Sequence, residues 1–408
     1  MNWYVFKEGS LKQPKNKKMQ ILNIFESSEQ IQSSMRNAVI DFSKMTTSIV
    51  ALVTDQVRNG EKVIGYGFGS NGRYAQGGIL RERLIPRILE TPPKDLLDDR
   101  GILDPLKIHS TMLTNEKPGG HGDRAVAAAV IDMAVWDAVA KIEEKPLWRL
   151  LSEKFNNGKF DEEVLVYPGG GYYYDGREIE GLCEEMQRYL DLGYRIVKMK
   201  IGGASLSKDM ARIEAVLKIL GDKGENLAVD ANGKFGLAEA LEYAKEMEPL
   251  GLAWYEEPGD PLDYELHKAL TSQYDGAIAI GENSLSHQDV VNFALYGGLR
   301  PNSDWIQMDP ALGYGLTEYL HTIHLLKPLG WAKKRHVPHG GHQLGLNVAA
   351  GLQLGGTESY PLVFKPFGGL ADNVLIKNGF TKVPEVPGIG IELKSEIFSL
   401  FSRLTQGE

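Results

Sequence analysis

The chain has 408 residues, 42% of them hydrophobic and 24% charged, which suits a globular protein with a sizeable core. A formal net charge of -9, with no basic run interleaved with aromatics, excludes nucleic acid as an expected partner. No stretch approaches 18 uninterrupted apolar residues and Met1 to Gln20 lacks a signal-peptide core, so no membrane partner is expected and the chain reads as cytoplasmic.

From about Val5 to Val63, strand-like alternation mixes with polar turns. Phe42 to Val57 is rich in β-branched residues and reads as a strand, with Lys62 to Tyr66 as its antiparallel partner across Arg58-Asn59-Gly60-Glu61. The glycine-rich run Gly67 to Tyr74 lacks the G-x-x-x-x-G-K-[ST] pattern, so it is not a phosphate loop. It is either a surface connection or a flap whose Asn71, Arg73 and Tyr74 contact an oxygenated ligand. Leu80 to Leu151 is helical in pattern, clearest in the alanine-rich Asp123 to Ala140, and Pro146 punctuates it. His121 falls in a loop before that helix, where no catalytic role is needed.

From Val164, short apolar runs alternate with amphipathic helices, the pattern of a parallel sheet, and the number of units argues for a closed barrel. Val164 to Tyr167 is its first strand and Arg195 to Ile201 its second. The single cysteine, Cys183, cannot form an intramolecular disulfide and reads as a buried structural thiol in the helix between them. Tyr172, Tyr173 and Tyr174 either line a site mouth or pack.

Asp230, Glu256 and Glu282 each close one of the next three strands, about 26 residues apart, near the roughly 30 residues of one strand-helix unit. Parallel barrel strands end on one face, so the three carboxylates converge and repel one another unless a hard cation sits among them. That predicts Mg²⁺. Side chains alternate along a strand, so Lys198 and Lys200 point the same way, and into the barrel if Asp230 on the next strand does. Two neighbouring, partly desolvated ammonium groups are expected to depress each other's pKa, leaving one a usable base.

Ser303 to Asp309 is the sixth strand, Lys334 to His339 the seventh, and Gly356-Thr357-Glu358 begins the eighth. The boundary between the two parts of the chain falls near residues 155 to 163. His321 and His324 lie three apart on a helix with no third ligand nearby, and read as surface residues. A hydrolytic metal barrel is disfavoured, because no His-x-His pair ends the first strand.

The lysine pair on one strand, the acids ending the next three, and Asp309 and His339 after them resemble the mandelate racemase subgroup of the enolase superfamily. The resemblance implies an α/β fold, a modified (β/α)7β TIM-like barrel over 161–368. It also implies an N-terminal α+β capping domain over 1–160 and a C-terminal segment, 369–408, packed on that cap. Asp230, Glu256 and Glu282 become Mg²⁺ ligands, and Lys200 a base on one face of the substrate, with Lys198 an electrostatic partner. His339 becomes the acid on the opposite face, oriented by Asp309, and Glu358 lies near the substrate carboxylate. Asn71, Arg73, Tyr74 and Asn232 are expected to bind substrate.

The implied chemistry is removal of the proton α to a carboxylate and loss of the β-hydroxyl, giving a 2-keto acid. Val197 to Ala204, Lys334 to His342 and Gly356 to Pro361 resemble the members that convert D-tartrate to oxaloacetate. A longer aldonate or aldarate, or a racemisation, would use the same machinery. Cycloisomerisation is less expected, since relatives of that kind carry a lysine where this chain has Asp309. The resemblance also implies a homo-oligomer.

Overall fold

The structure is a computed structural model that describes residues 19–406 except 175, 177 and 178. The strand-like reading from Val5 to Lys18 lies outside the described residues. The first sheet is antiparallel, ordered β1 (Ile21–Gln30), β2 (Thr46–Arg58), β3 (Glu61–Phe68). Asn59 and Gly60 join β2 to β3 with φ of 51° and 85°, the left-handed pair that matches a hairpin turn to the twist of its strands. β2 begins at Thr46, later than Phe42, because the chain turns first. Met45 N–H bonds the Phe42 carbonyl at 3.1 Å, and the Asn37 carboxamide accepts from the N–H groups of Val39 and Ile40.

A helical layer covers this sheet. α1 (Gly77–Ile79) runs through a π turn, Leu80–Leu84, into α2 (Ile85–Leu89), followed by α3 (Pro105–Met112), α4 (Asp123–Ile142) and α5 (Leu147–Phe155). The alanines of α4 let its backbone lie directly on β3. A Cβ on Gly65 would fall 2.0 Å from the Ala134 carbonyl oxygen, and one on Gly67 2.1 Å from that of Val130. No helix among the described residues is long and apolar enough to cross a membrane.

The barrel strands alternate with helices: β4 (Glu163–Gly170), α6 (Ile179–Asp191), β5 (Val197–Lys200), α7 (Leu206–Ile219), β6 (Leu227–Asp230) and α8 (Leu237–Met247). Then follow β7 (Trp254–Glu256), α9 (Tyr264–Thr271), β8 (Ile278–Ile280), α10 (His287–Tyr296), β9 (Trp305–Ile306), α11 (Leu316–Leu326), α12 (Gln343–Leu352) and β10 (Thr357–Ser359). The sheet runs β10-β4-β5-β6-β7-β8-β9, with all these pairs parallel. Residues 336–338 close it: Val337 N–H bonds the Ile306 carbonyl at 2.9 Å, and Glu358 N–H bonds that of Pro338 at 3.1 Å. This seventh strand is shorter than Lys334 to His339, because Lys333–Arg335 forms a 3₁₀ turn.

Tyr167, Ala228, Trp254, Ala279 and Val337 form a separate buried cluster, large side chains facing small ones, that fills the barrel. Polar side chains therefore gather at the carboxyl ends of the strands. After the barrel, β11 (Phe380–Lys382) pairs antiparallel with β4. α13 (Ser395–Leu404) returns to the first sheet, where the rings of Phe398 and Phe401 lie 5.9 and 4.8 Å from that of Tyr66.

Candidate active site

Register puts the first group of side chains abreast, since Lys200 pairs with Asp230 across β5 and β6, and Asp230 with Glu256 across β6 and β7. Lys198 and Lys200 are both buried, with Met199 on the other side of the strand among apolar residues. Lys198 Nζ contacts Glu256 Oε1, lies 2.8 Å from Glu358 Oε1 and 3.6 Å from Asp230 Oδ2. Lys200 Nζ contacts the same Asp230 oxygen.

The expected mutual lowering of the two lysines is corrected here. Burial does lower both, and Lys198 lowers Lys200 a little further. Asp230 together with Tyr172 and Glu282 outweighs these effects at Lys200, and Glu256 with Glu358 and Asp230 outweighs burial at Lys198, so both ammonium groups are held above their ordinary range. The carboxylates, arriving from other strands, decide the sign.

Asp230 is anchored from two sides. Asn232 donates its N–H to Oδ1 at 2.8 Å, and the lysines pull the carboxyl well below its ordinary range against burial. Glu256 moves the other way, pushed up by burial, with Asp230 and Glu358 adding to the shift against Lys198. Trp254 Nε1 and Gln307 Nε2 both donate to Glu256 Oε2 at 2.9 Å. Glu257 is turned aside by a backbone φ of 40°, and Asn283 Nδ2 donates to both its oxygens.

The second group comes from the far side of the mouth. Asp309 Oδ2 accepts from His339 Nδ1 at 2.9 Å, which leaves Nε2 facing Glu282 Oε2 at 3.3 Å and the Tyr360 hydroxyl at 3.1 Å. Burial lowers the imidazole, but Glu282, Glu358 and Asp309 override it and raise its pKa to about 10. Of the neighbouring histidines, His342 caps α12 by accepting the Gly345 N–H at 3.4 Å, while His336 is buried below.

Lys200, Glu282 and His339 line one cavity of about 140 Å³, together with Asn71, Arg73 and Asn232. Tyr74 is not among its walls; it sits beyond the turn at Gly72 and is 58% exposed. Arg73 reaches Asn283, so the glycine-rich run closes over the barrel mouth. Asn37, Val39, Ile40 and Phe42 form the rest of the roof, with Tyr172 and Tyr360 at the sides. That loop carried no motif; its signal was only the turn-forming Asn37 inside a strand-like stretch. Tyr172 lines the cavity, whereas Tyr173 bonds Asp209 at 2.7 Å and packs. Cys183 is half-buried rather than buried.

The donors of Asp230, Glu256 and Glu282 lie within 4.8 Å of one another. All are carboxylate oxygens, the hard donors that suit Mg²⁺. Glu282 Oε2 is buried and, beyond its ion pair with His339 Nε2, makes no hydrogen bond among the described residues. Crowded carboxylates with an unsatisfied oxygen fit a divalent cation.

Residues 181–397 match the family described as "Enolase C-terminal domain-like", and residues 30–152 match "Mandelate racemase / muconate lactonizing enzyme, N-terminal domain". An arabinonate dehydratase of Saccharolobus solfataricus is 29% identical, over 68% of this chain and 73% of that one. An L-talarate/galactarate dehydratase of Salmonella typhimurium is 27% identical over 75% and 71%. A Streptomyces coelicolor racemase, solved with bound magnesium, superposes with a TM-score of 0.75 at 23% identity, covering 95% of this chain and 99% of that one. The chain belongs to the mandelate racemase/muconate lactonizing enzyme family of the enolase superfamily.

Proposed function

We propose that the chain is a Mg²⁺-dependent hydro-lyase that removes the proton α to a carboxylate of a hydroxy acid and expels the β-hydroxyl, giving a 2-keto acid. The observation that carries this reading is one small cavity walled by both Lys200 and His339, with Glu282 beside them. Dehydration needs two such groups, one to take a proton and one to give it to the leaving oxygen.

Asp230, Glu256 and Glu282 would hold Mg²⁺, which supplies positive charge to offset the negative charge that builds on the substrate carboxylate. Lys200 is the base. It serves only once its ammonium is no longer held by Asp230, so that carboxylate acts as its switch. Lys198, paired with Glu256 and Glu358, stays cationic and stabilises charge on the substrate carboxylate. His339 keeps its proton near neutral pH, as an acid must, and Asp309 fixes its tautomer and direction. Its Nε2 gives that proton to the departing hydroxyl, which leaves as water, and the enol that forms tautomerises to the keto acid. Asn71, Arg73 and Asn232 supply polar contacts to substrate hydroxyls and carboxylate. Tyr172, Phe42 and Phe364 exclude water.

For substrate, the first candidate is D-tartrate. A cavity of about 140 Å³ is well below the roughly 300–1,000 Å³ of pockets for larger ligands, which favours a short acid. The named activities of the two curated relatives favour the second candidate, a longer aldonate or aldarate. A screen with Mg²⁺ against the tartrate stereoisomers and five- and six-carbon acid sugars, reading 2-keto acid, separates the two. D-tartrate is expected to give oxaloacetate. Keto acid from the longer acids alone would discard tartrate and keep the chemistry.

A further inference from the structure

Two of the nine histidines, His287 and His321, meet on the outside of the barrel, where α10 and α11 lie side by side. His287 is the first residue of α10, after its cap Ser286, and Glu318 and His321 lie three apart on one face of α11. His287, Glu318 and His321 each offer a donor atom, all within 4.8 Å of one another. The His287 and His321 ring centroids are 4.5 Å apart. Glu318 Oε1 receives both the backbone N–H of His287 at 2.8 Å and its Nδ1 at 2.6 Å, so the carboxylate already points into the cluster. His109 and His324 are within electrostatic reach of His321. His109 is itself held, its Nε2–H donated to the Tyr314 carbonyl at 3.0 Å.

We propose that His287, Glu318 and His321 form a second metal site, separate from the three carboxylates, that takes a transition ion of the Zn²⁺ class. Two imidazoles and one carboxylate match the N and O ligands of Zn²⁺ and are a poor set for Mg²⁺, which prefers oxygen alone. Tetrahedral bonds of about 2.0–2.2 Å leave ligand atoms near 3.3 Å apart, so a small movement of these side chains seats the ion. His287 Nδ1 gives up its proton to bind, so uptake strengthens as pH rises. The ion ties the start of α10 to the start of α11. The start of α10 follows on the loop that carries Glu282 and Asn283, so the site lies outside the catalytic rim and apart from it.

The test uses the full chain, stripped with chelator and then saturated with Mg²⁺, and titrated calorimetrically with Zn²⁺. Zinc also competes for the carboxylate site, so the decisive quantity is a difference. His321→Ala and His287→Ala are each expected to bind one equivalent fewer than the unaltered chain and to keep full Mg²⁺-supported activity. Glu256→Gln keeps the imidazole-held equivalent. Co²⁺ at the same site adds a visible d–d absorption, lost in His321→Ala and kept in Glu256→Gln. Equal stoichiometry in the unaltered chain and both histidine variants would overturn the proposal, as would a cobalt spectrum unchanged by His321→Ala.

Discussion

At the scale of single residues, the site is a balance of charge that no side chain sets alone. Lys198 faces three buried carboxylates, Asp230, Glu256 and Glu358, and is their common counter-charge. Removing one partner of a buried ion pair leaves the other uncompensated, at a cost of about 3–5 kcal/mol. Lys198→Met is therefore expected to lower the unfolding free energy by about that much in chelator, and by less in Mg²⁺, which takes over part of the neutralisation. Urea denaturation with and without Mg²⁺ measures both; an equal loss in the two conditions would count against the carboxylates as its ligands. That Lys198 and Lys200 share one side of their strand was legible in sequence, because alternation along a strand is local. The sign of their pKa shifts was not, because Glu358 arrives from 160 residues downstream of Lys198.

At the scale of elements, the ends of β6 at Asp230 and β7 at Glu256 were legible, whereas Glu282 lies two residues past the end of β8 and Asp309 three past the end of β9. Asp230, Glu256 and Glu282 recur at the period of one barrel unit, a property of the chain itself. The seventh strand shows the limit: its basic start at Lys333–Arg335 turns into a 3₁₀ helix, and only 336–338 join the sheet. His336 is buried there, and burial with nearby Lys333 lowers its pKa from 6.5 to about 4. Below pH 6.5 the unfolded chain takes up a proton that the folded chain refuses. The stabilisation is whole above pH 6.5 and is lost as pH falls through the window down to about 4, approaching roughly 3 kcal/mol. His336→Leu is expected to flatten that part of the pH profile of stability, followed by urea midpoints. An unchanged slope would mean that His336 titrates normally. The cluster of His287 with Glu318 and His321 was missed for a related reason, since sequence shows spacing along α11 and not what α10 lays beside it.

At the scale of the molecule, the cavity exists only where the two sheets meet: the barrel supplies the charged floor, and residues 37–42 and 71–73 the roof. α13 then returns to the first sheet, with Ile397 and Phe401 buried and Phe401 against Tyr66. At about 1.5–3 kcal/mol for each buried side chain, a chain stopped before Ser395 is expected to lose roughly 3–6 kcal/mol of stability. Denaturant titration of that truncated chain checks it, and a loss below 1 kcal/mol would mean that α13 is a passenger.

The central claim is that Lys200 and His339 act as separate base and acid across one cavity. The measurement that tests it is α-proton exchange together with keto acid formation, for an acid the unaltered enzyme dehydrates, in D₂O with Mg²⁺. His339→Asn is expected to exchange the α-proton without releasing keto acid, and Lys200→Ala to do neither, with a loss of about 10²- to 10⁴-fold or more. Continued exchange and dehydration by Lys200→Ala would contradict the account.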